Sequence, residues 1–190
     1  MRRRSFLRSA VSAVPALGLH SFLAGQPSSA QETPPSGFDL HMVGAGADRF
    51  GHPHAIGFSS LLFKVMPSET GGGLFVVEHK NLQPGGPPLH IHFHQEEWFY
   101  VMEGEVVFQV GDQRLTLKPG ESVLAPRQIP HTFSALGTTP GHMLIAFTPA
   151  GKMEQYFRDT ADAHLPAPDL AEYFSHYDMK YVGPSPFWKS

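Results

Sequence analysis

The segment 85–105, GGPPLHIHFHQEEWFYVMEGE, constrains this chain more than any other. His90 and His92 are two positions apart, and alternate side chains of an extended strand share a face, so the two imidazoles point the same way. Glu97 joins them if the chain bends between Gln95 and Glu96, and Gly104 then marks a turn. Downstream, the segment 117–133, LKPGESVLAPRQIPHTF, holds a Pro119-Gly120 turn, an apolar run, a second turn and then His131. His90, His92, Glu97 and His131 form a candidate nitrogen and oxygen ligand set for one divalent transition metal. The 190 residues contain no cysteine, which excludes thiolate ligands and disulfides.

From Ser60 to Thr148 the texture is one of short apolar runs broken by turn residues, the pattern of an all-β sandwich or barrel. Gly111-Asp112 reads as a tight hairpin turn. Past Pro149 the period changes: Met153, Tyr156 and Phe157, then Leu170, Tyr173, Phe174 and Tyr177, recur every three or four residues. These spacings predict two short helices outside the barrel, separated by a linker at Pro166 to Pro168 and followed by an extended tail. The expected organisation is a signal over 1–30, an extended arm over 31–59, the barrel over 60–150, and helices with a tail over 151–190. The length suits one domain with a real core.

The amino terminus, Arg2-Arg3-Arg4-Ser5-Phe6-Leu7-Arg8, precedes an apolar stretch from Ala10 to Leu23 and small residues at Ser28-Ser29-Ala30. This order is that of a twin-arginine export signal. Pro15 and Gly18 interrupt the apolar stretch, which is too short for a permanent membrane span. The expectation is a bacterial protein handed to the twin-arginine export machinery and found in the periplasm or beyond. Without the signal, ten basic residues face seventeen acidic ones, a net charge of −7, which argues against nucleic acid as a partner. His41, His52 and His54 lie in the polar arm, where solvent exposure is expected rather than a second metal site.

Strand parity extends to the pocket. With Glu97 inward, Phe99 and Val101 are inward too, and Phe133 follows His131, so Phe99, Val101 and Phe133 are the candidate substrate contacts. Between Gly85 and Thr148 the only basic residues are Arg114, Lys118 and Arg127, all near predicted turns, which is poor provision for a phosphorylated substrate. Trp98, Tyr100 and Met102 face outward, an apolar row that a second subunit would cover in a homodimer.

The two motifs resemble the paired signatures of the cupin family. His90, His92, Glu97 and Gly104 fall in the first, led by Gly85 or Gly86, and Gly120, Pro126 and His131 in the second. Gln128 stands where that pattern usually has glycine, and Ala135 where it often has asparagine. The resemblance implies a double-stranded β-helix, or jelly-roll, barrel holding one metal on His90, His92, Glu97 and His131. With the PHTF ending and the Thr148-Pro149-Ala150-Gly151 exit, the chain is most similar to single-domain cupins described as quercetin 2,3-dioxygenase-like. That likeness implies a dioxygenase acting on a small flavonol-like or enolisable phenolic molecule, with Glu97 as ligand and catalytic general base. Loading before export would favour manganese or iron; nickel, copper and zinc suit the same donors. A non-oxidative isomerase, decarboxylase or lyase would use these ligands too, as would a non-catalytic metal-binding or small-molecule-binding protein.

Overall fold

The computed structural model describes residues 40–162 and 169–188, and those from His41 onward form one compact unit. The signal at 1–30, the first residues of the arm and the Pro166 to Pro168 linker lie outside the described residues. Two antiparallel sheets carry the fold. The first runs β1 (His54–Ile56), β2 (Ser59–Val65), β3 (Phe75–Leu82), β10 (Gly141–Thr148), β5 (Glu96–Glu103), β8 (Ser122–Ala125). The second runs β11 (Met179–Gly183), β4 (Leu89–His92), β9 (His131–Leu136), β6 (Glu105–Val110), β7 (Gln113–Leu117).

Alternation makes the sheets and buries one face of each. In β5, Glu97, Phe99 and Val101 are buried; β10 contributes Met143, Ile145 and Phe147, and β3 contributes Phe75 and Val77. Phe99 packs on Phe108 of β6 and Phe133 of β9 at centroid separations of 5.0 and 5.5 Å, which joins the two sheets through aromatic contact. At Gly104, between β5 and β6, φ is +73° and a Cβ would stand 2.8 Å from the Pro140 carbonyl oxygen, so only glycine fits this turn. The fold is all-β, as the strand spacing predicts, and its two packed antiparallel sheets fit the jelly-roll barrel that the resemblance implies.

Both short helices are present. In α1 (Met153–Asp162), Met153 and Phe157 are buried, and Phe157 packs at a tilt against Phe75 and Phe147, with ring centroids 6.1 and 5.8 Å away. In α2 (Leu170–Ser175), the Asp169 carboxylate caps the first turn by accepting from the Ala171 N–H at 2.9 Å, and Phe174 is buried. No described helix is long and apolar enough to cross a membrane.

Two expectations change. The extended tail is in part a strand: β11 pairs antiparallel with β4, Tyr181 opposite His90 and Met179 opposite His92. Its partner lies far away in sequence, so no local hairpin signal announces it. The second change is in the arm, whose end folds as β1 on β2, with Asp48 accepting from the N–H groups of Phe50 and Phe63, both at 2.7 Å. His54 is buried there, stacked on Phe63 at 4.8 Å, whereas His41 and His52 are exposed.

Candidate metal centre

β4 places His90 and His92, β9 places His131, and β5, in the opposite sheet, places Glu97. The bend anticipated before Glu96 is the crossing of the chain from one sheet to the other. One ligand atom from each of the four side chains lies within 4.8 Å of the others, and all four residues are buried. Glu97 Oε2 is 2.8 Å from His131 Nε2, 3.2 Å from His92 Nε2 and 4.0 Å from His90 Nε2.

The local backbone explains why the imidazoles face inward as they do. His90 Nδ1 lies 2.8 Å from the Pro88 carbonyl and His131 Nδ1 lies 2.9 Å from the Ile129 carbonyl, so each Nδ1–H donates to backbone and each Nε2 is turned to the centre. For His131 the consequence is sharp: with Nδ1 already a donor, its 2.8 Å contact to Glu97 needs either a second ring proton or a cation in that proton's place. His92 is buried with neither ring nitrogen hydrogen-bonded, the 3.2 Å approach to Glu97 being out of line. A divalent metal would remove the His131 conflict and give His92 Nε2 a partner, leaving only His92 Nδ1 unpaired, and the three imidazoles and one carboxylate suit it.

Electrostatics point the same way. Burial alone would drive Glu97 toward the neutral acid, but the His131 and His92 imidazoles beside it outweigh that and hold its carboxyl far below the usual range. Burial, with repulsion from His131 and His92 and against the pull of Glu97, keeps His90 neutral well below its ordinary value. An ionised carboxylate and a neutral imidazole are the protonation states that bind metal.

The connection from Pro84 to Pro88 fixes the spacing between β4 and β9, whose ladder is the His90–His131 pair. Pro87 and Pro88 have no N–H, so hydroxyls replace ladder bonds: Thr132 Oγ1 donates to the Pro87 carbonyl at 2.7 Å, and the Gly85 N–H donates to Ser134 Oγ at 2.8 Å. Gly86 has φ +66°, and a Cβ there would lie 1.7 Å from the Phe133 carbonyl oxygen. The β8–β9 turn is held at Gln128, whose N–H donates to the His92 carbonyl at 2.8 Å; its φ is +66°, the left-handed conformation kept without glycine.

Three of the four, His90, His92 and Glu97, open on a cavity of about 30 Å³, lined also by Phe133, Phe147 and Tyr156 among others; His131 lies behind them, off its wall. Of the expected substrate contacts, Phe133 is on this wall and Phe99 and Val101 are not. Both are buried, as parity requires, but a strand advances about 3.3 Å per residue, which carries Val101 about 13 Å along β5 from Glu97. Phe99 lies behind His131, at 6.3 Å between ring centroids. Two residues not among the expected substrate contacts are on the wall: His79, whose inward direction is legible from Phe75 and Val77 four and two positions before it, and Tyr156 of α1. Arg114, Lys118 and Arg127 are all exposed, and among the described residues no cationic side chain lines the cavity.

Residues 79–147 match the family described as Cupin domain. An RmlC-like cupin from Shewanella frigidimarina superposes with a TM-score of 0.50 at 21% identity, covering 62% of this chain and 96% of that one. KdgF from a Halomonas species superposes with a TM-score of 0.45 at 22% identity, covering 52% and 87%. An uncharacterised protein of Methanocaldococcus jannaschii is 28% identical over 61 residues, 32% of this chain, and the match spans about half (49%) of that protein's length. The matched cupin span runs from His79 to Phe147 and so contains all four residues of the cluster.

Proposed function

We propose that the chain is an exported mononuclear-metal cupin enzyme, a dioxygenase that takes a proton from a compact enolisable or phenolic substrate held at His90, His92, Glu97 and His131. One observation carries this reading: Glu97 is a buried, ionised carboxylate whose three imidazole contacts all fall on Oε2, so that Oε1 is the oxygen left to receive a proton. A divalent metal at the cluster would supply the positive charge that acidifies a bound hydroxyl and the reactivity toward molecular oxygen. The protein's part is to orient the substrate against Phe133, Phe147 and Tyr156, to exclude bulk water, and to accept the substrate proton on Glu97. The enolate so formed is the electron-rich species that oxygen oxidises.

The walls narrow the substrate. Free space of about 30 Å³ is far below the ~300–1,000 Å³ of pockets for drug-sized ligands, so a compact molecule suits the cavity better than a three-ring flavonol. The described lining holds no Lys or Arg, which disfavours phosphate esters. The arginine-rich start, apolar run and small residues before Gln31 support twin-arginine export, and a periplasmic product starting near residue 31 would test it.

The test is oxygen consumption by protein of known metal content across a panel of compact enols and phenols. Oxygen uptake coupled to substrate loss, absent in His131→Ala, is the expected result. Turnover without oxygen uptake would assign the same residues to a non-oxidative isomerase, decarboxylase or lyase. Stoichiometric metal with no turnover would leave a binding protein. Natively exported protein should carry manganese or iron, and protein refolded in mixed metals copper or zinc; the same copper or zinc content by both routes would remove the loading argument.

A further inference from the structure

The cavity has a fifth polar side chain that the ligand set does not use. His79, on β3, is 1% exposed, and its Nε2 has no hydrogen-bond partner. Phe75 and Val77 precede it on the same inward face, where a leucine would avoid the desolvation cost of an unpaired ring nitrogen. The ring is held in place. Phe133 and Phe157 meet it edge-on, each at 6.0 Å, and Phe58 stacks nearly parallel at 6.5 Å. Ser59 of β2 holds the other nitrogen, with Oγ 2.8 Å from His79 Nδ1.

That contact sets the tautomer. The Ser59 hydroxyl is buried and has His79 Nδ1 as its acceptor, with no other among the described residues. The hydroxyl therefore donates to Nδ1, and the ring proton sits on Nε2, on the wall that His79 shares with His90, His92 and Glu97. We infer that His79 is a substrate-binding residue whose Nε2–H donates to an oxygen of the molecule held at the metal cluster, with Ser59 fixing the tautomer that makes it a donor. Burial, opposed only in part by the Glu97 carboxylate, lowers the imidazole to about 3, so it stays a neutral donor at working pH. A neutral donor strengthens as negative charge gathers on the oxygen it meets, and an enolate or hydroxy-acid oxygen is the acceptor it fits. This inference rests on the reading of the cluster as a metal centre.

The experiment uses the cobalt(II)-loaded protein, whose visible bands report small ligands at the metal, titrated with glycolate as the probe. Wild-type protein should bind one cobalt and then glycolate. His79→Phe should keep its cobalt and lose at least tenfold in glycolate affinity; His79→Gln, which restores an N–H donor, should recover most of it; Ser59→Ala should lose a few-fold. Glycolate binding equally well to cobalt-loaded His79→Phe would overturn the inference, as would a cobalt-loaded wild type indifferent to glycolate. Failure of the wild type to take up cobalt would instead sink the metal reading. A readout without substitution comes from nitrogen-15 NMR of the zinc-loaded wild type, where a proton on Nε2, shifted by glycolate, is expected. A proton on Nδ1 would refute the proposed tautomer even if every variant failed to fold.

Discussion

Replacing Gly86 with alanine should damage both the fold and the metal centre. The added Cβ would stand 1.7 Å from the Phe133 carbonyl oxygen and 2.8 Å from its carbon, where contacts below 3.0 Å are essentially never seen. The 84–88 connection and β9 must therefore part by at least about 1.3 Å. Overpacking of this kind costs about 1–3 kcal/mol, and a left-handed φ on alanine adds about 1 kcal/mol. Parting also stretches the Thr132–Pro87 and Ser134–Gly85 hydrogen bonds, at about 1 kcal/mol each. The expected loss is about 4–6 kcal/mol in urea denaturation of the metal-free protein. Displacing β9 from β4 moves His131 away from His90, so cobalt(II) affinity should fall about tenfold or more. Gly85→Ala is the control: its φ of +125° is strained for alanine, but the nearest atom, Trp188 Cδ1, is 3.8 Å away. It should cost about 1–3 kcal/mol and spare the metal. A Gly86→Ala protein within 1 kcal/mol of wild type, with unaltered cobalt binding, would refute this account of how the two strands are spaced.

The two roles given to Glu97 separate by substitution: His131→Ala should lose most of its metal, measured by elemental analysis. Glu97→Gln should keep much of it yet lose about a hundredfold or more in turnover, less at higher pH where the substrate is already ionised. Acid should destabilise the metal-free protein through His79, whose folded value of about 3 lies below the ordinary 6.5. The unfolded chain then takes up this proton first, so stability is full above pH 6.5 and falls as pH drops toward 3, by about 3 kcal/mol at pH 4.5. Urea midpoints of wild type and His79→Leu should diverge in slope across that window, and parallel curves would contradict it. Trp98, Met102 and Leu124 are 37%, 40% and 48% exposed on the outer face of the first sheet. A homodimer through this face should give twice the monomer mass in light scattering and revert to monomer in Leu124→Glu.

Legibility in the sequence followed the range of each physical signal. His90 and His92 share a face because a strand repeats every two residues, and the glycine turns at Gly104 and Gly120 bound their strands; these are local facts. The same alternation reaches Phe99, Val101 and Phe133 as buried residues, but it reports direction and not depth, so it could not say which of them meets the cavity. His79 is within reach of the same parity, two residues past Val77, but the apolar run of its strand ends before it, at Glu78. β11 had no local sign: Met179 to Gly183 is short, and what makes it a strand is the edge of β4, far off in the chain. Gln128 shows the converse, a left-handed turn retained without glycine because its N–H is tied to His92.

The pairing of β11 with β4 also imposes an order on assembly. β4 carries two of the four cluster residues, yet its flanking partners are the single His90–His131 bridge to β9 on one side and β11 on the other. β11 is the last of the described strands to leave the ribosome. While the chain is being made, His90 and His92 sit on a strand whose edge is still open, and Glu97 waits across the gap in a sheet that can already form from its own members. All four cluster residues precede β11, so what β11 adds is not a ligand but an edge: the strand that holds His90 and His92 is clamped on both sides only once the last described strand has docked.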